Sequence, residues 1–466
     1  MNLAKLTEKD LRFPPIPGED LCELRFQNNA ERRVVLVNGN LVANVRSDEA
    51  GVSARVRKDG YYGFASLPSL TEEAALKVLN SAAHNARFMA DHAEALQKKE
   101  PPRLTAFARP MREAWNDVGQ SRYVALCREF DEYICQHCPQ IVARSVIAYS
   151  DTLEKHLRTA EGTEAHFAQP RAMTYFTLTA EAENGGTVDL TRVVGGFGSL
   201  DQVFDESGKA AFHAAVDEAY RYVLDKAKAV APRSGLQQVI LHSYLSGMLA
   251  HEAVGHTTEA DFVLGGSVSG HCMQQKVASD LVTLVDFANT ALGKRCPCPV
   301  YVDDEGIAAE DVTIIEKGTL IHYMHNRDTA VRLGGKACGN ARAWLYSDEP
   351  LIRMRNTAIL PGTDRLEDMI ASIEDGYYLL DTGNGQADST GEFMFAITMG
   401  YEVKNGKLGR AIRDTTISGF AFDMLKTVDM VSDDMVWMGG GFCGKKQPMA
   451  VGMGGASIRC QITMGG

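Results

Sequence analysis

The alternation of apolar and polar side chains in residues 33–66, RVVLVNGNLVANVRSDEAGVSARVRKDGYYGFAS, restricts the fold more than any other feature of this chain. Successive side chains of a β-strand point to opposite faces of the sheet, so this period predicts strands. Asn38-Gly39 and Asp59-Gly60 interrupt the alternation, and such pairs favour the tight turns of β-hairpins. We therefore expect an antiparallel sheet in this part of the chain.

Three later segments of the N-terminal half follow the period of a helix instead. Their apolar residues recur about every 3.6 residues, as they do on one face of an α-helix. In the first segment Ser69 and Glu72 have the spacing of a capping box, and Pro101-Pro102 is expected to end the helix. The predicted helices cover about residues 69–100, 111–138 and 210–231, and strands are expected over about residues 141–190.

Short β-rich segments separated by glycine clusters dominate the chain after Pro232. Asn405-Gly406 separates two of these segments, as in a hairpin, and the whole half predicts an antiparallel sheet or a closed barrel. The predicted fold class is α+β with two domains. Residues 1–232 are expected to form a domain with long helices on an antiparallel sheet. Residues 233–466 are expected to form a β-rich domain that also contains the helix with the candidate metal motif.

The composition excludes several classes of function. The chain has 466 residues and a formal net charge of -12, without a long basic run, so nucleic acid is not expected as a direct partner. The first twenty residues lack the apolar core of a signal peptide, and no apolar run approaches the roughly 20 residues of a membrane helix. A cytoplasmic location is expected, and the ten cysteines are then reduced and available to bind metal.

The stretch LSGMLAHEAVGHTTEADF, residues 245–262, places two histidines around a glutamate. His251 and His256 are five residues apart, which in a regular α-helix leaves their side chains about 140° apart. The two imidazoles bind one metal ion only if the helix widens into a π-type turn or ends near Gly255. Two such histidines are ligands typical of catalytic zinc, and Glu252 is then placed to act as a general base.

The third ligand is not fixed by spacing. Glu259, Asp261, His271 and Cys272 lie close in sequence to the two histidines, whereas Cys443 lies between glycines far downstream. A lone pair of histidines also occurs by chance, with one side chain bonded to a carbonyl and the other on the surface. The residues alone therefore leave both the ligand set and the metal open.

Several ordered blocks of the sequence resemble the TldD/PmbA family, and in particular its TldD branch. They are HEAVGHTTEADF, QKVASDLVTLVD, VDDEGIAAEDVTIIEKGTLIHYMHNRDTA, MRNTAILPGTD, GNGQADSTGEFMFAI and GFCGKKQPMAVGMGGASIRC, and GVSARVRKDGYYGFAS in the N-terminal half. The resemblance covers most of the chain and is strongest from about Gly247 onward. It implies a zinc-dependent peptidase that acts on small peptides or unfolded segments, in a family with members named modulators of DNA gyrase.

The resemblance also implies roles for particular residues. His251, His256 and Cys443 would bind one zinc ion per chain, and Glu252 would activate a zinc-bound water. TldD-type subunits pair with a PmbA/TldE-type subunit that lacks the zinc motif, so a dimer is expected, either of two copies or with such a partner. A non-catalytic scaffold that binds a gyrase, toxin or peptide partner is the alternative function.

The chain departs from the family pattern near the motif. His271 and Cys272 stand where less metal-binding residues are expected, which makes them alternative ligands. Glu259 and Asp261 are expected to support the histidines through hydrogen bonds. GNGQADSTGEF, residues 383–393, is either a hairpin loop or a sheet edge that binds an extended peptide by strand addition.

Three further clusters are interpreted as structural. Cys135 and Cys138 end a helical stripe, and Cys296 and Cys298 lie in a loop, so neither pair is expected to bind metal. The acidic run 303–305 is expected to be a solvated turn.

Overall fold

The computed structural model describes residues 21–92 and 101–465. A seven-stranded sheet dominates the N-terminal half, in the order β3-β2-β1-β5-β6, with β4 and β7 both paired to β6. Its strands are β1 (Leu21–Val37), β2 (Asn40–Lys58), β3 (Tyr61–Leu67), β4 (Ala108–Arg109), β5 (Ile141–Thr159), β6 (Glu164–Glu181) and β7 (Thr187–Phe197). All its pairings are antiparallel except that of β4 with β6.

The predicted hairpin turns are confirmed. Val37 pairs with Asn40 and Lys58 with Tyr61, which leaves two-residue loops at Asn38-Gly39 and Asp59-Gly60. All four loop residues have positive φ, from 48° to 92°, as the mirror-image turns of hairpins require. The turn chemistry therefore sets the register of the first three strands.

Within the described residues, four helices flank this sheet: α1 (Glu72–His92), α2 (Gln120–His137), α3 (Leu200–Val203) and α4 (Glu206–Lys226). The apolar face of α1 packs on β1 and β2 in one core, whereas α2 and α4 pack on β1, β5 and β6 in a second core. Thr71 caps α1 by accepting a hydrogen bond from the Ala74 amide, so the predicted role of Ser69 is wrong. The expected continuation of this helix over residues 93–100 lies outside the described residues.

The second predicted helix begins nine residues later than expected. The segment before α2 is irregular because its acidic side chains bond to the sheet: Asp117 pairs with Arg32, and Glu113 with Arg109. Gly119, in an extended conformation, then precedes the first helical residue. Tertiary contacts therefore override the helical pattern at this end.

A five-stranded closed barrel forms the centre of the C-terminal half, in the order β17-β8-β24-β20-β18 and back to β17. Its strands are β8 (Gly235–Leu241), β17 (Asp375–Ala387), β18 (Glu392–Lys404), β20 (Thr415–Phe420) and β24 (Ile458–Met464), with β19 (Lys407–Ala411) and β21 (Met430–Val431) attached. Of the barrel pairings, that of β17 with β8 is parallel. The predicted barrel is thus confirmed, as is the hairpin at Asn405-Gly406.

A second, six-stranded sheet, β13-β12-β9-β16-β23-β22, lies beside the barrel. It consists of β9 (Leu284–Phe287), β12 (Val312–Glu316), β13 (Thr319–Leu320), β16 (Asn356–Ile359), β22 (Val436–Cys443) and β23 (Met449–Gly455). Two ribbons complete the strands: β10 (Thr290–Ala291) with β11 (Lys294–Arg295), and β14 (Ala341–Arg342) with β15 (Leu351–Ile352). The helices are α5 (Ser243–Met248), α6 (Ala260–Leu264), α7 (Arg327–Leu333), α8 (Leu366–Ala371) and α9 (Ala421–Lys426).

The acidic run 303–305 is buried, so its interpretation as a solvated turn is wrong. Asp304 forms ion pairs with Lys155 and Arg25 at 2.7 Å and 3.3 Å, and Glu305 pairs with Arg55. Asp303 accepts backbone hydrogen bonds within the turn. Burial of this acidic run is possible because cations of the N-terminal sheet neutralise its charge.

Strand pairing changes from one sheet to others near residue 232, and the division into two domains there stays a prediction. All ten cysteines are free in the structure, as expected. None of the helices in residues 21–92 and 101–465 is long and apolar enough to cross a membrane.

Candidate metal centre

The helix that carries the histidine motif widens where the spacing requires it. After α5 the backbone forms a π-helix over Leu249–Gly255 and then a short 3-10 turn over His256–Thr258. The His256 amide donates to the carbonyl of His251, five residues back. The π-type widening predicted from the sequence is confirmed, and it brings two side chains together that a regular helix would separate.

Gly255 allows this turn to pack. A β-carbon at this position would lie 2.0 Å from the sulfur of Met354 and 3.1 Å from the carbonyl oxygen of Ala250. The glycine backbone has an ordinary helical conformation, with φ -55° and ψ -53°. Close approach, rather than a weakened helix, is therefore what requires glycine here.

The ligand atoms of His251, His256 and Cys443 all lie within 4.8 Å of one another. Cys443 ends β22, and its sulfur is 3.3 Å from Nε2 of His256 across 187 residues of sequence. His251 and Cys443 are buried and His256 is partly exposed. Among the described residues this is the single group of three such side chains with metal-binding spacing.

The histidine nitrogens are arranged as metal ligands require. Nδ1 of His251 lies 3.3 Å from the hydroxyl of Thr357 on β16, whereas its buried Nε2 has no hydrogen-bond partner in the described structure. An unpartnered buried nitrogen costs about 1–3 kcal/mol unless a ligand satisfies it. Two imidazoles and a thiolate are a donor set of catalytic zinc, so these residues fit a zinc ion.

A buried carboxylate orients His256. Glu259, which is fully buried, accepts from Nδ1 of His256 at 2.9 Å and pairs with Lys445 at 3.2 Å. Lys445 also pairs with Asp261 at 2.7 Å, and its ammonium lies 4.5 Å from the ring centre of Phe262. The contact with Glu259 fixes the orientation of the ring, so that Nε2 faces Cys443.

The charges of these groups stabilise one another. Burial raises the pKa of the Cys443 thiol, but the imidazoles of His251 and His256 outweigh it and lower the pKa to about 4. Burial lowers the pKa of His256, but the carboxylate of Glu259 and the Cys443 sulfur raise it well above its ordinary value. The lowered pKa of Cys443 favours the thiolate, which is the form of cysteine that binds metal.

Glu252 lies beside the three ligands at the edge of a cleft. Its carboxylate oxygen is 3.7 Å from Nε2 of His256, and its side chain is 21% exposed. The cleft has a volume of about 740 Å³ and is lined by this motif, by residues 385–389 of β17 and its following turn, by Phe442 and by residues 444–446. A base at this position reaches both the ligand cluster and solvent.

An unpaired strand edge borders the same cleft. β17 pairs with β8 over Tyr377–Leu379, whereas Gly385–Ala387 pair with β18 alone. Beyond that ladder, the backbone of these three residues makes no hydrogen bond within the described residues. Of the two interpretations of this stretch, residues 388–391 form the hairpin loop and residues 385–387 present the open edge.

The alternative ligands lie elsewhere. His271 ends a short 3-10 turn over Val268–His271 and Cys272 follows it, with the Cys272 thiol 3.4 Å from the Val268 carbonyl. Burial raises the pKa of that thiol. In the described structure neither residue belongs to the cluster of ligand atoms.

Sequence reasoning missed three side chains of this site. Thr357 contacts His251, Lys445 pairs with Glu259, and Arg353 donates to the Cys443 carbonyl at 2.8 Å. Lys445 follows Cys443 by two residues, which is a usable signal. Thr357 and Arg353 carry no such signal. The packing of β16 against the π-helix brings Thr357 to the site, and hydrogen bonds to the Cys443–Gln447 backbone hold Arg353 there.

Comparison with known proteins assigns the chain to a family. Residues 234–466 match a model of the PmbA/TldA metallopeptidase C-terminal domain, and residues 22–86 match domain 1 of the same metallopeptidases. A metalloprotease of Methanocaldococcus jannaschii is 30% identical over 96% of this chain and 97% of its own length. A zinc metalloprotease TldD homolog of Saccharolobus solfataricus is 31% identical over 70% of this chain and 72% of its own.

Solved structures share the fold at low identity. TldE from Thermococcus kodakarensis superposes with a TM-score of 0.77 at 15% identity, over 96% of this chain and 97% of its own. A Thermotoga maritima protein described as a suspected modulator of a DNA gyrase gives 0.74 at 18% identity, over 96% and 95%. From the domain matches and the full-length relatives, the chain belongs to the PmbA/TldD family of metallopeptidases.

Proposed function

We propose that this protein is a zinc-dependent peptidase of the TldD type that hydrolyses peptide bonds in small peptides or unfolded segments. The observation that carries the proposal is the convergence of His251, His256 and Cys443 beside Glu252 at an open cleft. Relatives named metalloproteases support the reaction class. A zinc ion at the cluster would supply Lewis acidity toward the scissile carbonyl and would make a water molecule acidic.

In this proposal Glu252 performs the proton transfers. Its carboxylate accepts a proton from the attacking water and then delivers it to the nitrogen of the leaving amine, so that each turnover restores the carboxylate. Glu259 and Lys445 keep His256 oriented while charge develops. Thr357 orients the other imidazole.

The substrate is proposed to bind in an extended conformation. Gly385–Ala387 offer backbone donors and acceptors beside the cleft, and a peptide that adds a strand there is held through its backbone, whatever its sequence. A folded protein cannot present such a strand. Unfolded peptides of varied sequence are therefore expected to be cut, and folded proteins are expected to resist.

A dimer is proposed as the working form, either with a PmbA/TldE-type subunit or with a second copy. The fold shared with the Thermococcus kodakarensis TldE supports a partner of the same architecture. Ten free thiols fit a cytoplasmic protein, where cysteines stay reduced. Size-exclusion chromatography coupled to light scattering, alone and with a PmbA/TldE-type protein, measures the assembly.

The function is tested by metal analysis and peptide digestion. Wild-type protein is expected to contain about one zinc per chain and to lose peptidase activity with a chelator.

Glu252→Gln is expected to retain zinc but to lose at least about a hundredfold in kcat. Cys443→Ala is expected to release zinc, whereas Cys272→Ala, outside the cluster, is expected to retain it.

Two outcomes would contradict the proposal. Peptidase activity that survives in Glu252→Gln would remove the glutamate from its role as base. Protein purified without chelators that contains no metal and cuts no peptide would favour the alternative of a binding scaffold.

A further inference from the structure

Lys446 occupies a strained turn beside the candidate metal centre. The Gln447 amide donates to the Lys445 carbonyl at 2.6 Å, which closes a three-residue turn, and Lys446 at its centre has φ 55°. Side chains rarely adopt this left-handed region, and turns of this kind are rare and strained. Glycine would fit this backbone without strain, whereas lysine adopts it at a cost in free energy.

Buried contacts hold this turn in place. The guanidinium of Arg353, which is fully buried, donates to the carbonyls of Cys443, Lys445 and Gln447 at 2.8, 3.3 and 2.8 Å. The Gln447 side chain bonds to the backbone of Trp344 and Glu349, at 2.8 and 2.9 Å. The position of Lys446 is therefore fixed by the same arginine that fixes the cysteine strand.

The other charges around the cleft have partners. Lys445 pairs with Glu259 and Asp261, and Asp388 accepts three hydrogen bonds from its own turn, at 2.6 to 3.2 Å. Lys446 also lines the cleft, and its exposed ammonium has no ion pair or hydrogen bond to any described residue. Among the described residues that line the cleft, Lys446 is therefore the cation that is free to bind a ligand.

We infer that Lys446 is a specificity-determining residue that binds a carboxylate of the peptide in the cleft. The inference rests on the proposed peptidase function and names a substrate class within it. Two sources supply such a group: an acidic side chain near the scissile bond, or the C-terminal carboxylate of a short peptide. Both would extend from a strand bound along Gly385–Ala387 toward the turn.

The expected preference for a carboxylate is small because the ammonium of Lys446 is exposed to solvent. An ammonium in an open cleft gains at most a few-fold in affinity from one carboxylate, because water and salt screen the pair. We expect about a threefold preference in kcat/KM for a peptide with the carboxylate over its neutral match. The preference is expected to shrink as NaCl rises from about 0.02 to 0.5 M.

The experiment compares matched peptides on the whole protein. One pair exchanges Glu for Gln near the scissile bond, and a second exchanges a free C-terminus for an amide. Wild type, Lys446→Gln, Lys446→Arg and Lys446→Gly are assayed with each pair. Lys407→Gln is the control, since Lys407 is an exposed lysine on β19, attached to the end of β18 remote from the cleft.

The expected readout is the ratio within each pair. Wild type, Lys446→Arg and the control are expected to prefer the carboxylate, and Lys446→Gln and Lys446→Gly to lose the preference. The pair that responds identifies the source of the carboxylate. Lys446→Gly is expected not to lower the melting temperature, because glycine relieves the strained turn. Peptide Kd values in a Glu252→Gln background give the same ratio without turnover.

Failure of this inference is distinct from failure of the function. If wild type cuts both members of each pair at the same rate, or if Lys446→Gln keeps the preference, the inference is overturned and the peptidase stands. If wild type cuts none of the peptides, the proposed function fails first. The Kd ratio in the Glu252→Gln background then still decides whether Lys446 selects carboxylates.

Discussion

At the scale of single residues, the site depends on polar atoms held by buried partners. His256 is fixed by Glu259, His251 by Thr357, and the cysteine strand by Arg353. A ligand that is already oriented loses less side-chain entropy when metal binds, so these partners raise affinity without touching the metal.

Glu259→Gln tests this orientation. The substitution preserves the shape of the side chain but removes the charge that His256 and Lys445 face, so zinc affinity is expected to fall about 10- to 100-fold. Competition with a chromogenic chelator measures it. Asp261→Asn is the control, because Asp261 is 38% exposed and pairs with Lys445 instead of a ligand. Equal affinities for the two variants would contradict the role of Glu259.

His325 gives a prediction of pH dependence. It is 4% exposed, and burial, with the charge of His322, lowers its pKa from 6.5 to about 4. Between the two pKa values, the unfolded chain binds a proton at His325 that the folded chain does not bind. The stability that a neutral His325 contributes is therefore fully present above about pH 6.5 and is lost as the pH falls toward 4. Its share of that loss at pH 5 is on the order of 2 kcal/mol.

Urea unfolding of wild type and His325→Asn at pH 8 and pH 5 measures this share. The variant is expected to lose less stability on acidification than wild type. His84→Asn, at an exposed position, is expected to follow wild type at both pH values. A stability gap between His325→Asn and wild type that does not change with pH would contradict a neutral, buried His325.

At the scale of elements, the π-helix determines the directions in which His251 and His256 point. A regular helix would place the two histidines on different sides, and the π-helix over Leu249–Gly255 returns them to one side. The turn is supported from outside the helix, since Met354 occupies the space above Gly255.

Gly255→Ala is expected to disturb this element. The new methyl group would overlap the sulfur of Met354, which costs about 1–3 kcal/mol of unfolding free energy and displaces a ligand. Urea unfolding and zinc content measure the two effects. Gly196→Ala, where a β-carbon meets no atom within 4 Å, is the control. Combining Gly255→Ala with Met354→Ala is expected to restore zinc binding; no recovery would mean that the glycine has another role.

At the scale of the whole molecule, buried charges join the N-terminal sheet to the C-terminal half. Asp304 faces Lys155 of β5 and Arg25 of β1, all nearly inaccessible to solvent. Burial opposes the charge of Asp304, but the two cations outweigh it and lower the pKa of this carboxyl. The three groups need one another, because each alone would be an uncompensated buried charge.

Asp304→Asn is expected to lower the unfolding free energy by about 3 kcal/mol or more, because it leaves Lys155 and Arg25 without their anion. Urea unfolding at pH 7 measures the change. Asp280→Asn, at an ion pair that is 79% exposed on the aspartate side, is expected to cost at most about 0.5 kcal/mol. Similar losses for both variants would show that the buried pair contributes no more than a surface one.

The sequence by itself determined the features that depend on neighbouring residues. Asn-Gly and Asp-Gly turns fixed the hairpin registers, and the five-residue spacing of the histidines required a widened or interrupted helix. Local backbone preferences and helix geometry are properties of short segments, so they are readable from the chain. The blocks that resemble a family supplied Cys443.

Only the tertiary structure decided which distant groups meet. It buried the acidic run 303–305, delayed α2 to Gln120, excluded His271 and Cys272 from the cluster, and placed Thr357 and Arg353 at the ligands. The energy of these contacts comes from desolvation and from charges on other elements, up to hundreds of residues away. No local sequence pattern encodes these desolvation and charge energies. The site is therefore completed only when the whole chain folds.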